Sequence, residues 1–215
     1  MKNRTFRIRF ADTNHQRNEV GLLIDKMYAW RGYQSTGGRQ EHPHRITLVA
    51  SAEENTLATI TIGFDSRAGL LVDELYKDEI DVLRQKGKRL CEFIKLAVDG
   101  GVRSKHVLAA IFHISHIYAR EITGHTDLFI EVNPRHVGFY ERMLGFSQLA
   151  DERMNLRVHA PAVLLWVDLN YVDQKIREFG GHMELATGEK SLYPYAFTQD
   201  EQELIAQQLR MLHAD

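Results

Sequence analysis

Apolar and polar residues alternate from Thr5 to Phe10, with Phe6, Ile8 and Phe10 on one face, which predicts a first strand. Val20, Leu23, Ile24 and Met27 then recur at helical spacing and predict an amphipathic helix over Glu19 to Arg31. The polar stretch Gln34 to His44, with Gly37-Gly38 and Pro43, reads as loop. Arg45 to Ser51 and Thr56 to Phe64 are rich in β-branched residues and flank Ala52-Glu53-Glu54-Asn55, the pattern of a hairpin. Asp73 to Lys86 predicts a partly polar helix that stops at Gly87.

The middle of the chain is more regular. Arg89 to Val98 reads as a strand, Asp99-Gly100-Gly101 as a turn and Arg103 to Ile122 as a long helix. Thr126 to Val132 is a further strand, and Pro134 to Leu144 a shorter helix closed by Gly145. Strand, helix, strand in that order implies a crossover and one parallel pairing. Phe146 to Leu149 and Ala162 to Val167 supply two more strands, and Asp168 to Phe179 is helical. Thr198-Gln199-Asp200-Glu201 is a capping box that opens a last helix carrying Leu204, Ile205, Leu209 and Leu212. The expected fold class is α/β (α+β): a mixed, mostly antiparallel sheet with helices on both faces. Residues 1–170 form the domain and 171–215 a helical extension packed on it.

Composition narrows the function classes. With 44% hydrophobic and 26% charged residues in 215, the chain has ordinary globular usage, enough for one generous domain. No apolar run approaches the ~18 residues of a membrane span. Cys91 is the one cysteine, which excludes an internal disulfide and points to a reducing, cytoplasmic setting. The net charge of -2 hides a basic first quarter, where nine Lys/Arg meet four Asp/Glu in residues 1–50. These cations are scattered and not interleaved with aromatics, which argues against a nucleic-acid partner. His106, His113 and His116 share one helix without a His-Glu-x-x-His or cysteine pair, so no metal is expected.

One string is specific. Asn133 ends a strand, Pro134-Arg135-His136 follows, and Tyr140 stands seven residues on, in a helix closed by Gly145-Phe146. It resembles the strand–helix–strand end of the GCN5-related N-acyltransferases (GNAT). More narrowly it resembles the FeeM-like N-acyl amino acid synthases, which are similar in turn to acyl-homoserine lactone synthases. Cys91-Glu92-Phe93-Ile94-Lys95-Leu96-Ala97-Val98-Asp99 resembles the fourth strand of that fold, and Met27-Tyr28-Ala29-Trp30-Arg31-Gly32-Tyr33 the end of its first helix. The resemblance covers about residues 5–170.

It implies an N-acyltransferase that moves a fatty acyl group from a thioester to the amine of an amino acid or similar acceptor by direct attack. Glu92 would accept the amine proton, since burial in an apolar strand raises a carboxyl pKa; its structural alternative is an ion pair with Lys95 or Arg120. Tyr140 would assist the departing thiol, or else only pack in the core. His136, beside a strand end, would contact either substrate or cap its helix. Backbone N–H groups near Ala97 and Val98 would hold the oxyanion. Arg103, Ser104, Lys105, His106 and Asn133 would bind the donor, and Trp30, Arg31 and Phe64 would line an acceptor or acyl pocket. His106 and Leu108 stand where acetyl-CoA enzymes of the superfamily carry phosphate-cradling glycines. That departure favours an acyl carrier protein as partner over free CoA. The expected co-substrate is then an acyl-phosphopantetheine thioester, with no tightly bound cofactor. Two other readings fit the same residues: a non-catalytic acyl-thioester sensor, and a CoA-dependent acetyltransferase with a degenerate phosphate loop.

Overall fold

The computed structural model describes residues 6–30, 43–53, 55–102 and 104–214. Its first elements are β1 (Arg7–Phe10) and α1 (Asn14–Trp30). The helix opens earlier than its apolar stripe because Thr13 and Gln16 cap it reciprocally: Gln16 N–H donates to Thr13 Oγ1 at 3.3 Å, and Thr13 N–H to Gln16 Oε1 at 3.1 Å. The hairpin is β2 (Arg45–Ala52) with β3 (Asn55–Phe64), followed by α2 (Asp73–Gln85) and β4 (Leu90–Val98). The expected long helix divides into α3 (Lys105–Ile117) and a π-helical turn, Tyr118–Ile122. After β5 (Asp127–Val132) a 3-10 turn, Pro134–His136, leads into α4 (Val137–Leu144). Then come β6 (Ser147–Gln148), β7 (Arg153–Asn155), β8 (Ala160–Asp168) and α5 (Leu169–Phe179). Two 3-10 turns, Met183–Thr187 and Tyr193–Tyr195, precede α6 (Gln199–Ala214). The loop expected over Gln34 to His44 lies almost wholly outside the described residues.

The strands form one sheet in the order β1-β2-β3-β4-β5-β8-β6, with β7 paired to β8. Every pairing is antiparallel except β4 with β5, the expected parallel pair. On one face α1 packs Val20, Leu23, Ile24 and Met27 over Val49 and Ala97. On the same face α2 packs Tyr76 and Ile80 over Leu90, Phe129 and Leu164. The other face carries the larger cluster, in which α3 covers Ile60, Ile62, Cys91, Phe93, Leu128 and Ile130. Ala206 and Leu209 of α6 are buried in that same cluster. Leu204 and Leu212, expected on the buried stripe of the last helix, are 61% and 62% exposed. The stripe instead runs through Ile205, Ala206 and Leu209.

β4 and β5 share only three register pairs, Leu90↔Asp127, Cys91↔Leu128 and Glu92↔Phe129. At that end Asp127 is fully buried; its carboxylate accepts from Trp166 Nε1 at 2.8 Å and Thr126 Oγ1 at 2.6 Å, with Lys88 Nζ at 3.3 Å. Beyond Glu92, β4 stays with β3 as far as Val98, while β5 stays with β8 as far as Val132. The sheet parts between them.

Candidate active site

The parting has a local cause. Between Thr59↔Ala97 and Thr61↔Ile94, β4 carries one residue more than β3, and Lys95 in that bulge takes the left-handed backbone, φ 53°. A bulge bends its strand and increases twist. It swings the end of β4 away from β5, so among the described residues no strand pairs with the β4 edge beyond Glu92 on that side. Backbone groups of Phe93 to Val98 therefore border the gap, where the sequence placed an oxyanion donor. The Ala97 methyl itself is buried under α1.

Glu92 stands at the root of the gap on the α1/α2 face and is fully buried. Its Oε1 accepts from Leu71 N–H at 2.8 Å and its Oε2 from Val72 N–H at 3.1 Å. Burial pushes its pKa up to about 7; the two N–H donors and the positive field of Arg45 and Arg157 oppose the rise. Neither Lys95 nor Arg120 is among its hydrogen-bond partners, and Arg120 binds Asp173 instead. A second carboxyl, Glu131 on β5, is two residues beyond Phe129 and so shares that face. It accepts from Asn155 Nδ2, and Arg157 reaches it at 3.4 Å. Burial raises its pKa too, against the pull of Arg157 and Asn155. Lys95 is shifted down by burial, with Arg45 and Arg157 adding repulsion.

Gly63 makes room for this arrangement. It lies opposite Glu92 in the β3–β4 register, and a Cβ there would fall 2.8 Å from Glu92 Oε1 and 2.9 Å from its Cγ. Gly63→Ala is expected to destabilise the protein by about 1–3 kcal/mol and to lower turnover by displacing the carboxylate. An unshifted denaturation midpoint would show that Glu92 has another seat.

The other expected residues divide. Tyr140 on α4 packs edge-on against Phe139 and Phe146, at 5.2 and 5.9 Å between ring centres, on the α3 face. Glu92 and Tyr140 thus belong to opposite faces of the sheet. His136 sits in the turn after β5, its Nε2 accepting from Arg135 Nε at 3.2 Å. Asn133 has both ends of its amide engaged: Oδ1 accepts from Arg135 N–H at 3.3 Å and Nδ2 donates to Pro161 C=O at 3.2 Å. Through these bonds it shapes the turn at the end of β5. Ser104 is the exposed cap residue of α3, without a side-chain capping bond. Lys105 Nζ lies 5.2 Å above the Tyr195 ring, and the His106 ring meets the same tyrosine edge-on at 5.2 Å. Phe64 packs against Tyr118 and His125, at 5.9 and 5.0 Å, at the joined end of β4 and β5. Phe93, Phe112 and Phe146 are among the walls of an apolar cavity on the α3 face. Arg31 and Arg103, and the side chain of Trp30, lie outside the described residues. Among the described residues no three His, Cys, Asp or Glu side chains form a group able to hold a metal, and no helix is long and apolar enough to cross a membrane.

Gly63, Arg45, Glu131 and Arg157 carried no role in the sequence reading. A glycine inside a β-branched run, Thr59-Ile60-Thr61-Ile62-Gly63-Phe64, was a signal of close approach. For Arg157, in the turn before β8, the sequence held none.

Comparison with known proteins bears on this arrangement. The family model described as N-acyl amino acid synthase FeeM matches residues 19–168. The solved structure of FeeM, an N-acyl amino acid synthase from uncultured soil microbes, is 26% identical. It superposes with a TM-score of 0.73 over 80% of this chain and 96% of that one. The acyl-homoserine lactone synthase LasI (11% identity, 78% and 92% covered, TM-score 0.56) shares the fold. So does an acyl-CoA N-acyltransferase from Pseudomonas aeruginosa (12%, 75% and 97%, TM-score 0.53). No curated protein sequence matches the chain. A sheet that parts between β4 and β5, with a buried carboxyl at the fork, is thus set in a GNAT fold, and the chain belongs to the FeeM family of N-acyl amino acid synthases and is an N-acyltransferase.

Proposed function

We propose that the protein transfers a long-chain fatty acyl group from the phosphopantetheine thioester of an acyl carrier protein to the amine of an amino acid or similar acceptor. The observation that carries this reading is the two-sided gap. One face offers a carboxyl whose pKa is near neutrality, and the other an apolar cavity beneath Phe93. The acceptor enters on the Glu92 face, where Arg45 and Arg157 supply positive field for a carboxylate. Its amine attacks the thioester carbonyl, and the β4 backbone near Ala97 and Val98 holds the resulting oxyanion. Glu92 takes the amine proton through water, since it is sealed from direct contact. Tyr140 gives a proton to the departing thiolate, and His136 lies beside the same strand end. Residues 1–170 carry this machinery, with 171–215 as an extension to it. The cytoplasm suits a buried lone thiol, Cys91.

A carrier protein as donor is supported by the N-terminus of α3. His106 and Leu108 bring side chains where close approach of a pyrophosphate asks for none, and Tyr195 crowds Lys105 and His106. The single phosphate of a pantetheine arm asks less of that turn. The basic residues of positions 1–50 match an acidic partner. With matched acyl chains, kcat/KM is expected to be at least about tenfold higher for the carrier than for CoA at low salt, and to fall as salt rises. Equal efficiency with both donors and no salt dependence would overturn the donor assignment. Mass analysis of products from mixed amino acids identifies the acceptor.

A further inference from the structure

The two strands that border the gap, β4 and β5, carry a single lysine, Lys95. It follows Glu92 on the stretch of β4 that has left β5. It belongs to the bulge and is held at φ 53°. A long side chain seldom takes that backbone conformation, and where one does, the surrounding fold imposes it, often at a functional site.

The charges around Lys95 place it on the acceptor side of the gap. Arg45 and Arg157, whose positive field acts on Glu92, are the same two cations that repel the Lys95 ammonium. Arg45 stands opposite Gly63, and Gly63 opposite Glu92, so these three share one face of the sheet. Partial burial first, and that repulsion second, disfavour the charged form of Lys95. A larger share of it is therefore neutral amine than in a fully solvated lysine.

Its position suits an attack on the donor. Ala97 and Val98, assigned above to the oxyanion, come next but one along the same strand. Two residues of strand span roughly 6–7 Å, a distance that the flexible four-carbon stem of lysine can cover. An amine on the acceptor side, close to the oxyanion donors, has the placement that an incoming acceptor must reach.

We propose that Lys95 is a self-acylation site: with an acyl thioester bound and no amine acceptor present, its side-chain nitrogen receives the acyl group. This rests on the thioester-to-amine transfer read above and adds an acceptor within the chain itself. The nitrogen attacks the thioester carbonyl, an N–C bond forms and the C–S bond breaks. The proton that the nitrogen sheds leaves with the sulfur as thiol, and nothing is oxidised or reduced. The amide carries no charge, so the repulsion from Arg45 and Arg157 ends with the transfer. The acylated side chain then stands where the acceptor enters, and an enzyme supplied with donor but starved of acceptor closes its own acceptor side.

The test uses the full chain in an amine-free buffer, given dodecanoyl-CoA or a dodecanoyl acyl carrier protein and read by intact mass and peptide mapping. Lys26 and Lys77 serve as references; they are 67% and 63% exposed and each lies 2.7 Å from an aspartate oxygen. With at least one donor, a dodecanoyl group is expected on Lys95 at an occupancy about tenfold or more above either reference. Adding a mixture of amino acids should lower that occupancy by competition. Lys95→Arg keeps the positive charge and should remove the added mass; if this variant does not fold, the wild-type peptide map still decides. Acylation spread evenly over the exposed lysines is ordinary thioester reactivity and overturns the proposal. So does an unmodified Lys95 with both donors, whether or not free amino acids are acylated. Acylated Lys95 in a protein that acylates no free amine supports the site and refutes only the external acceptor of the reading it rests on.

Discussion

Replacing Glu92 by glutamine is expected to lower turnover by roughly 10²–10⁴-fold, the usual contribution of a positioned general base. Donor affinity should barely change, because the side chain keeps its shape. The same substitution carries a stability signature of known sign. The Glu92 pKa is about 7 in the folded protein against a reference of 4.5. Its contribution is therefore complete below pH ~4.5 and is lost as pH rises through ~7. A shift of that size corresponds to roughly 3 kcal/mol. Glutamine cannot ionise, so across this window the variant should gain on the wild type by that amount. One of the N–H donors at Leu71 and Val72 will meet the new amide NH₂, which lowers the variant by a constant that does not depend on pH. Urea denaturation of both proteins at pH 4.5, 6 and 8 separates the slope from this constant. The wild-type kcat/KM should climb with pH as the carboxyl ionises. Turnover within about twofold of wild type would assign Glu92 to anchoring the start of α2.

Removal of residues 198–215 is the other change with a large expected effect. It takes away Ala206 and Leu209, both buried in the main cluster. It also takes Gln202, whose amide joins His113 and Glu121, and His213, which pairs with the Tyr118 hydroxyl at 2.9 Å. Exposure of the apolar surface beneath α6 together with these lost bonds should cost about 3–5 kcal/mol. For a chain of this size that lowers Tm by on the order of 10 °C. Leu209→Ala alone should cost about 2–3 kcal/mol, and it serves as a milder version if the truncated chain aggregates. Thermal melts that match wild type for both would mean that α6 does not cover this surface in solution.

The elements were legible where one local rule decided them. Period-two runs placed the strands, Gly87 and Gly145 stopped their helices, and Thr198 with Glu201 opened α6 as expected, Thr198 N–H donating to Glu201 Oε2 at 2.9 Å. The same rule was available at Thr13 and Gln16 but lay ahead of any apolar stripe, so the start of α1 was placed late. Much of the site was illegible for a different reason. The sequence identified Glu92 as a carboxyl in an apolar strand, but not that Leu71 and Val72 seal it, nor that Arg157 returns to it from the turn before β8. Those are meetings between distant segments, and no spacing encodes them. Phe64 could be named as a pocket candidate, but no spacing showed that the register sets it opposite Cys91, where β4 and β5 are joined. The bulge at Lys95 leaves no mark in sequence at all, since a lysine with positive φ is chosen by the fold around it.

The three rungs between β4 and β5 also fix the shape of the gap. Asp127, clasped by Trp166, Thr126 and Lys88, ties the strands together where they are joined. Like the arms of a forceps, the two half-sheets meet at one end and stand apart at the other, narrow beside Glu92 and wide toward Val98 and Val132. Under the proposed reading the wide end is the part that faces a thioester arm, and the narrow end, set by the Asp127 clasp, is the part that holds the Glu92 carboxyl to its place.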